Sequence, residues 1–278
     1  MEKYELLPQQ LIHEGTCSKE DFFNPQPLSD SIAKVIHQSE YVDRLSRMEL
    51  SPSEERKIGF PLSQHLVDRE FVIAGGTVEG ALKALESGIA FNIAGGTHHA
   101  YSTHGEAFCL LNDQAIAARY LLDHGKANKI LIIDLDVHQG NGTAEIFRSE
   151  DRVFTFSMHG QKNYPFKKEK SDWDIALDDH TGDEVYLPLL EQSLPQLFDR
   201  VIPDFVFYLC GVDVVASDRL GRLGMSLEGC KARDEMVLTY CHEKSIPLQC
   251  SMGGGYSKDI RLIVEAHANT YRLASRIF

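Results

Sequence analysis

Basic residues are in short supply in this 278-residue chain: 28 Lys and Arg stand against 41 Asp and Glu, a formal net charge of −13. Nucleic-acid backbones are held by clustered Lys and Arg, so no nucleic-acid partner is expected. An acidic surface suits cationic ligands such as amines and equally serves solubility alone. No run approaches the roughly 18 apolar residues of a membrane span. The opening MEKYELLPQQ lacks the apolar core of a signal peptide. The six cysteines (Cys17, Cys109, Cys210, Cys230, Cys241, Cys250) include no C-x-x-C pair, and several lie inside apolar runs, as buried reduced thiols do. These absences predict a cytoplasmic protein without membrane association. No repeat, low-complexity tract or Pro/Gly/Ser-rich linker divides the chain, so one domain over 1–278 is expected, long enough for a sizeable core.

What is present is an alternation. Residues 1–70 are polar, are punctuated by Pro25, Pro27, Pro52 and Pro61, and read as short helices and loops wrapped on a main body. FVIAGGTVEGALKALESG then reads as an amphipathic helix, with apolar residues three and four apart. IAFNIAGG follows as a short strand. LNDQAIAARYLLDHG is a helix with Asn112 as N-cap and Gly125 as stop. KILIIDLD, VFTFSM, DFVFYLCG and IPLQCSM are further strands. NGTAEIFRS, SLEGCKARDEMVLTYCHEK and SKDIRLIVEAHANTYRLASRIF are helices. Apolar strands alternating with helices predict an α/β fold with a mainly parallel sheet covered on both faces. Ligands in such folds bind at the carboxyl ends of the strands.

Those ends are rich in chemistry. IAFNIAGG runs into His98-His99, and KILIIDLD into Asp134, Asp136, His138 and Asn141. FVFYLCG delivers Asp213, and IPLQCSM leads through three glycines to Tyr256. Asp134, Asp136 and His138 alternate, so an extended chain projects them to one side. Asp and His together suit a borderline ion such as zinc and leave a coordination position open. A histidine pair titrates near neutral pH and suits general acid–base work. A phenol on a glycine-rich backbone can donate to a developing oxyanion. Each element alone also reads as a capping or solvent-facing loop group; four ends converging on one rim do not read as packing.

Together GGTHHA (95–100), DLDVHQGNGT (134–143), the SMHGQKNYP segment (157–165), GVDVVASDRLGRL (211–223) and SMGGGY (251–256) resemble the histone deacetylase superfamily from about residue 20 to the C-terminus. The D-R-L-G-x-L stretch and the Asn of H-Q-G-N-G resemble its class IV members and their bacterial relatives. The resemblance implies an arginase-like three-layer sandwich with an eight-stranded parallel sheet. It assigns Asp136, His138 and Asp213 as zinc ligands, His99 as general base and later acid, and His98 as its electrostatic partner. Asp134 then orients His98, and Asn141 stands where many relatives place an Asp behind His99. Tyr256 polarises the substrate carbonyl. A potassium ion is implied on Asp134, Ser157 and the backbone around Asp136, His138 and Met158. Phe108 and Tyr164 would face each other across an acyl-lysine tunnel, with Leu220 at its mouth.

Two departures stand out. Relatives carry a strand and a His/Pro loop before the segment matching KYELLP, so the first strand is expected to be missing and part of the pocket floor incomplete. Ala107 occupies a position where relatives commonly have Gly, which would reshape the channel.

The expected activity is zinc-dependent removal of acetyl or other acyl groups from N-acyl-lysine in a peptide or protein, with iron(II) as a substitute metal. A small acylated amine such as an acetylpolyamine is the alternative substrate. An inactive metal-binding interaction protein and a two-manganese ureohydrolase are the remaining readings. Retention of His98, His99 and Tyr256 argues against both.

Overall fold

A computed structural model describes residues 2–278. The five expected strands form, and a sixth joins them: β1 (Ile89–Asn92), β2 (Ile130–Asp134), β3 (Val153–Gly160), β4 (Trp173–Leu177), β5 (Phe205–Leu209) and β6 (Leu248–Ser251). All pair in parallel, in the order β1-β6-β5-β2-β3-β4. Strands β2, β5 and β6 are buried at every position, which is why their sequences are continuous rather than alternating apolar runs.

The two-residue period of the backbone nevertheless sorts their side chains between two cores. Ile130, Ile132, Phe205 and Phe207 face one way, onto α5 (Gln64–Ser87) and α6 (Asp113–Asp123). Leu131, Ile133, Val206 and Tyr208 face the other, onto α8 (Asp183–Val201), α9 (Leu227–Glu243) and α10 (Ile260–Ile277). A short α7 (Asn141–Phe147) follows β2. Helix, sheet and helix layers make the three-layer α/β sandwich that the sequence predicts.

Boundaries follow local chemistry. Asn112 caps α6 by accepting from the Ala115 amide at 3.1 Å, and Gly125 follows the helix at φ +60°. Residues 2–63 hold α1 (Lys3–His13), α2 (Asp30–Ala33), α3 (Ser39–Ser46) and α4 (Pro52–Ile58), whose start is fixed by a Ser51/Glu54 capping box, and α5 begins seven residues before the expected helix start at Phe71.

The sheet corrects the expected strand number: six strands among the described residues, not eight. Helix α1 lies against the last helix and the chain just beyond β6. Its Leu7 and Leu11 pack on Val264, Ala268 and Tyr271 of α10 and on Met252 just beyond β6. All six cysteines are free, and all but Cys17 are buried. Among the described residues no helix is long and apolar enough to cross a membrane.

Candidate metal centre and active site

The polar residues that end β2 and β5 converge. Asp136, His138 and Asp213 bring one ligand atom each within 4.8 Å of one another. His138 Nδ1 lies 3.0 Å from Asp136 Oδ1 and 3.2 Å from Asp213 Oδ2. Backbone amides aim the carboxylates: His138 N donates to Asp136 Oδ1 (2.9 Å), Gly254 N to Asp136 Oδ2 (2.9 Å) and Val137 N to Asp213 Oδ1 (3.0 Å). Asp213 Oδ2 is buried without a hydrogen-bond partner.

Two buried carboxylates around one imidazole leave negative charge uncompensated, and a low-dielectric interior makes that costly. Burial and the Asp136 charge push the Asp213 carboxyl up to about 6. Burial alone would lower the His138 imidazolium, but its two carboxylate neighbours raise it to about 10. The cluster thus calls for a cation, and its O, N, O donors fit zinc or a similar ion.

Three features hold this floor together. A Cβ at Gly254 would collide with Asp213 Oδ2, and one at Gly211 with Asp136 Oδ2, so only glycine lets the backbone approach so closely. Arg233, fully buried, donates from Nη1 to the carbonyls of Leu135 (3.0 Å) and Gly211 (2.7 Å), tying together the loops that bear Asp136, His138 and Asp213. Lys3 of α1 donates from Nζ to Gly253 O at 3.2 Å, and the ammonium lies 5.2 Å from the Tyr256 ring centroid. Sequence reasoning missed both cations, because their partners are remote in the chain.

The histidine pair sits beside the cluster, with ring centroids 4.1 Å apart for His98 and His99 and 5.9 Å for His99 and His138. Its loop is anchored on the start of α6. Asp113 accepts from the amides of Gly96 (3.1 Å) and Thr97 (2.8 Å), while Asn112 Nδ2 donates to the Ala100 carbonyl (3.2 Å). His98 Nδ1 meets Asp134 Oδ2 at 2.7 Å, and His99 Nδ1 meets Asn141 Oδ1 at 2.6 Å. The different partners matter. Burial disfavours the charged form of His98, yet the Asp134 carboxylate outweighs it and raises the imidazole. Burial and then the neighbouring His98 and His138 charges hold His99 well below its ordinary value, so His99 stays neutral near pH 7.

Of the expected tunnel residues, Tyr164 stands edge-on to His99, with centroids 5.1 Å apart and planes at 88°. Phe108 is exposed at the rim and leans on Phe60 (4.9 Å), a ring that sequence reasoning did not single out. Ala107 and Phe108 both take positive φ, 44° and 69°. Leu220 is exposed, and its carbonyl accepts from Asn163 Nδ2 at 2.8 Å. Glu106, also unanticipated, accepts from the Tyr164 hydroxyl and from Asn141 Nδ2. Tyr256 is 38 % exposed, and burial of its hydroxyl environment pushes the phenol up, so it remains a proton donor. Asp134 and Ser157 are register partners across β2 and β3, with Met158 next along, while the Ser157 hydroxyl is paired with His159 Nδ1 at 2.9 Å.

Comparison with known proteins agrees with this geometry. The histone deacetylase domain matches residues 1–271. An uncharacterised protein of a Picosynechococcus strain is 42% identical over 278 residues, covering 100% of this chain and 93% of its own length. Histone deacetylase 2 of Arabidopsis thaliana is 29% identical, over 94% of this chain and 70% of that one. Histone deacetylase clr6 of Schizosaccharomyces pombe is 33% identical, over 80% and 58%. Among solved structures, a histone deacetylase homologue from Aquifex aeolicus superposes with a TM-score of 0.83 at 23% identity, covering 97% of this chain and 77% of that chain. A strand-end Asp/His/Asp cluster, an adjacent histidine pair and a domain match over nearly the whole length agree: this chain belongs to the histone deacetylase family.

Proposed function

We propose that this protein is a metal-dependent deacylase that hydrolyses the amide of an N-acyl-lysine, or of a related small acylated amine, with its ion held by Asp136, His138 and Asp213. The observation that carries the reading is the placement of a neutral, buried imidazole, His99, against that ligand cluster, with Nδ1 committed to Asn141 and Nε2 left free. Zinc, or iron(II) in its place, would polarise the amide carbonyl and bring the pKa of a water toward roughly 7.

The chain's own groups then divide the work. His99 Nε2 takes the proton of the attacking water and afterwards delivers it to the leaving amine nitrogen. Transfer of this kind is worth about 10²–10⁴-fold. The Tyr256 hydroxyl donates to the carbonyl oxygen as it gains charge, from a backbone held by Lys3 through Gly253. His98, kept cationic-prone by Asp134, supplies positive potential beside the reacting atoms. Tyr164 and Phe108 wall the approach to His99, and Leu220 lies at its mouth. Asp134 and Ser157, with the carbonyls of Asp136, His138 and Met158, are the proposed potassium site beneath the floor.

The test is a panel of acetyl-lysine and fatty-acyl-lysine peptides and acetylpolyamines, assayed on protein reconstituted with zinc or with iron(II). Turnover of at least one amide, lost in His99→Ala, is expected. Metal-loaded protein that cleaves none of them, with Tyr256→Phe indistinguishable from wild type, overturns the reading.

A further inference from the structure

Asn141 poses a problem that a carboxylate in its place would not. An aspartate behind His99 can only accept, so it would fix a proton on Nδ1 whichever way it turned. An amide has a donor end and an acceptor end. Turned round, it would present its NH₂ group to Nδ1, drive the proton to Nε2 and remove the lone pair that a base needs. Something must hold the amide one way.

The surroundings of Asn141 supply it. Its Nδ2 lies 3.1 Å from Glu106 Oε1 and 3.1 Å from the Tyr101 hydroxyl. A carboxylate has no proton to give, so the nitrogen end must face it. The Tyr101 hydroxyl gives its own proton to Glu169 Oε1 at 3.4 Å and is left to accept from Asn141. Both NH₂ protons are thereby placed, and Oδ1 is turned onto His99 Nδ1 at 2.6 Å.

Glu106 is itself well held. The Tyr164 hydroxyl donates to it, and His104 Nε2 lies 3.4 Å from its other oxygen. Burial would raise its carboxyl, but the bonds from His104, Tyr164 and Asn141 outweigh that and keep it below the usual carboxylate range. It therefore remains an obligate acceptor at neutral pH.

We infer that Glu106 is a positioning residue for the base: by fixing the orientation of the Asn141 amide, it sets the Nδ1–H tautomer of His99. The inference rests on His99 as the base of the proposed hydrolysis, but its claim about the tautomer stands apart from any substrate. It also gives Tyr164 a second connection to His99, since the ring that stands edge-on to the imidazole anchors the same carboxylate.

The experiment is ¹⁵N NMR of the imidazoles in the full-length, zinc-loaded protein, with the His99 signals identified by their loss in His99→Asn. Wild type is expected to hold the proton wholly on Nδ1. In Glu106→Gln the side chain at 106 can face Asn141 with either end, so a mixture of tautomers should appear. The turnover number should then fall in proportion to the Nδ1–H fraction lost, about 2- to 10-fold, with KM little changed. Adding Asn141→Asp to Glu106→Gln should restore the single tautomer, because an aspartate accepts in either orientation. Tyr164→Phe, which leaves the Glu106 carboxylate in place, should keep the wild-type tautomer and serves as a second variant should Glu106→Gln fold poorly. An unchanged tautomer in Glu106→Gln, or a mixture that Asn141→Asp does not resolve, overturns the inference. Wild type with a fixed Nδ1–H tautomer but no activity on any amide would instead count against the deacylase reading alone.

Discussion

The floor of the site and its rim are built by different means. On the floor, Asp136 and Asp213 are oriented by backbone amides, with no space for a Cβ at Gly211 or Gly254. At the rim, Phe108, Leu220 and Tyr256 are each more than a third exposed and are placed by loops. Geometry fixed by main chain cannot relax around a substitution, whereas side chains at a rim can move. The floor should therefore fail all at once and the rim by degrees.

The largest effect is expected at the proposed metal ligands. Asp213→Ala should abolish both turnover and equimolar metal retention, measured by elemental analysis after dialysis. Gly254→Ala should come close to it, although it removes no functional atom, because its methyl would occupy the place of Asp213 Oδ2. If Gly254→Ala binds metal normally, the floor is softer than described.

Tyr256→Phe stands between the two regions. It should lower the turnover number about 10²–10³-fold, as loss of one oxyanion donor does, while leaving the melting temperature and metal content unchanged.

His37 tests the support behind the rim. Its Nδ1 pairs with the Tyr101 carbonyl at 2.9 Å, and its Nε2 accepts from the Asn112 amide at 3.0 Å, so the ring must be neutral. Burial, partly offset by the Tyr101 bond, lowers it from 6.5 to about 4. A histidine whose folded value is depressed takes up its proton more readily when unfolded. Stability from this group is thus intact above 6.5 and is lost as pH falls toward 4, by on the order of 3 kcal/mol. Urea melts across that range should show the loss, and the difference between wild type and His37→Gln should isolate it. The smallest effect belongs to Leu220→Ala, which should change KM by no more than about fivefold, the worth of a partly exposed apolar contact, and leave the turnover number alone.

Legibility in the sequence divides along similar lines. Strands β2 and β5 were readable because burial on both faces forces an unbroken apolar run, and their polar ends named the cluster of Asp136, His138 and Asp213. Strand β4 was not: it is an edge strand with a mixed burial pattern, inside a stretch rich in both charges. Helix α8 was hidden by Pro188 and Pro195 within it. Lys3, Glu106 and Arg233 read as ordinary charged residues, since what gives each a role lies far along the chain. Glu106 meets residues 35 and 58 positions away, and Arg233 reaches back 98 positions to Leu135.

The bond from Lys3 to Gly253 spans 250 residues of sequence, and α1 rests on the last helix. At roughly 5–20 residues per second of synthesis, α1 leaves the ribosome some 10–50 s before its partners exist. For that interval its apolar stripe of Leu7 and Leu11 has no native cover, and the Gly253–Tyr256 backbone has yet to be made. The candidate site is therefore completed only once the Gly253–Tyr256 segment has been made, long after α1.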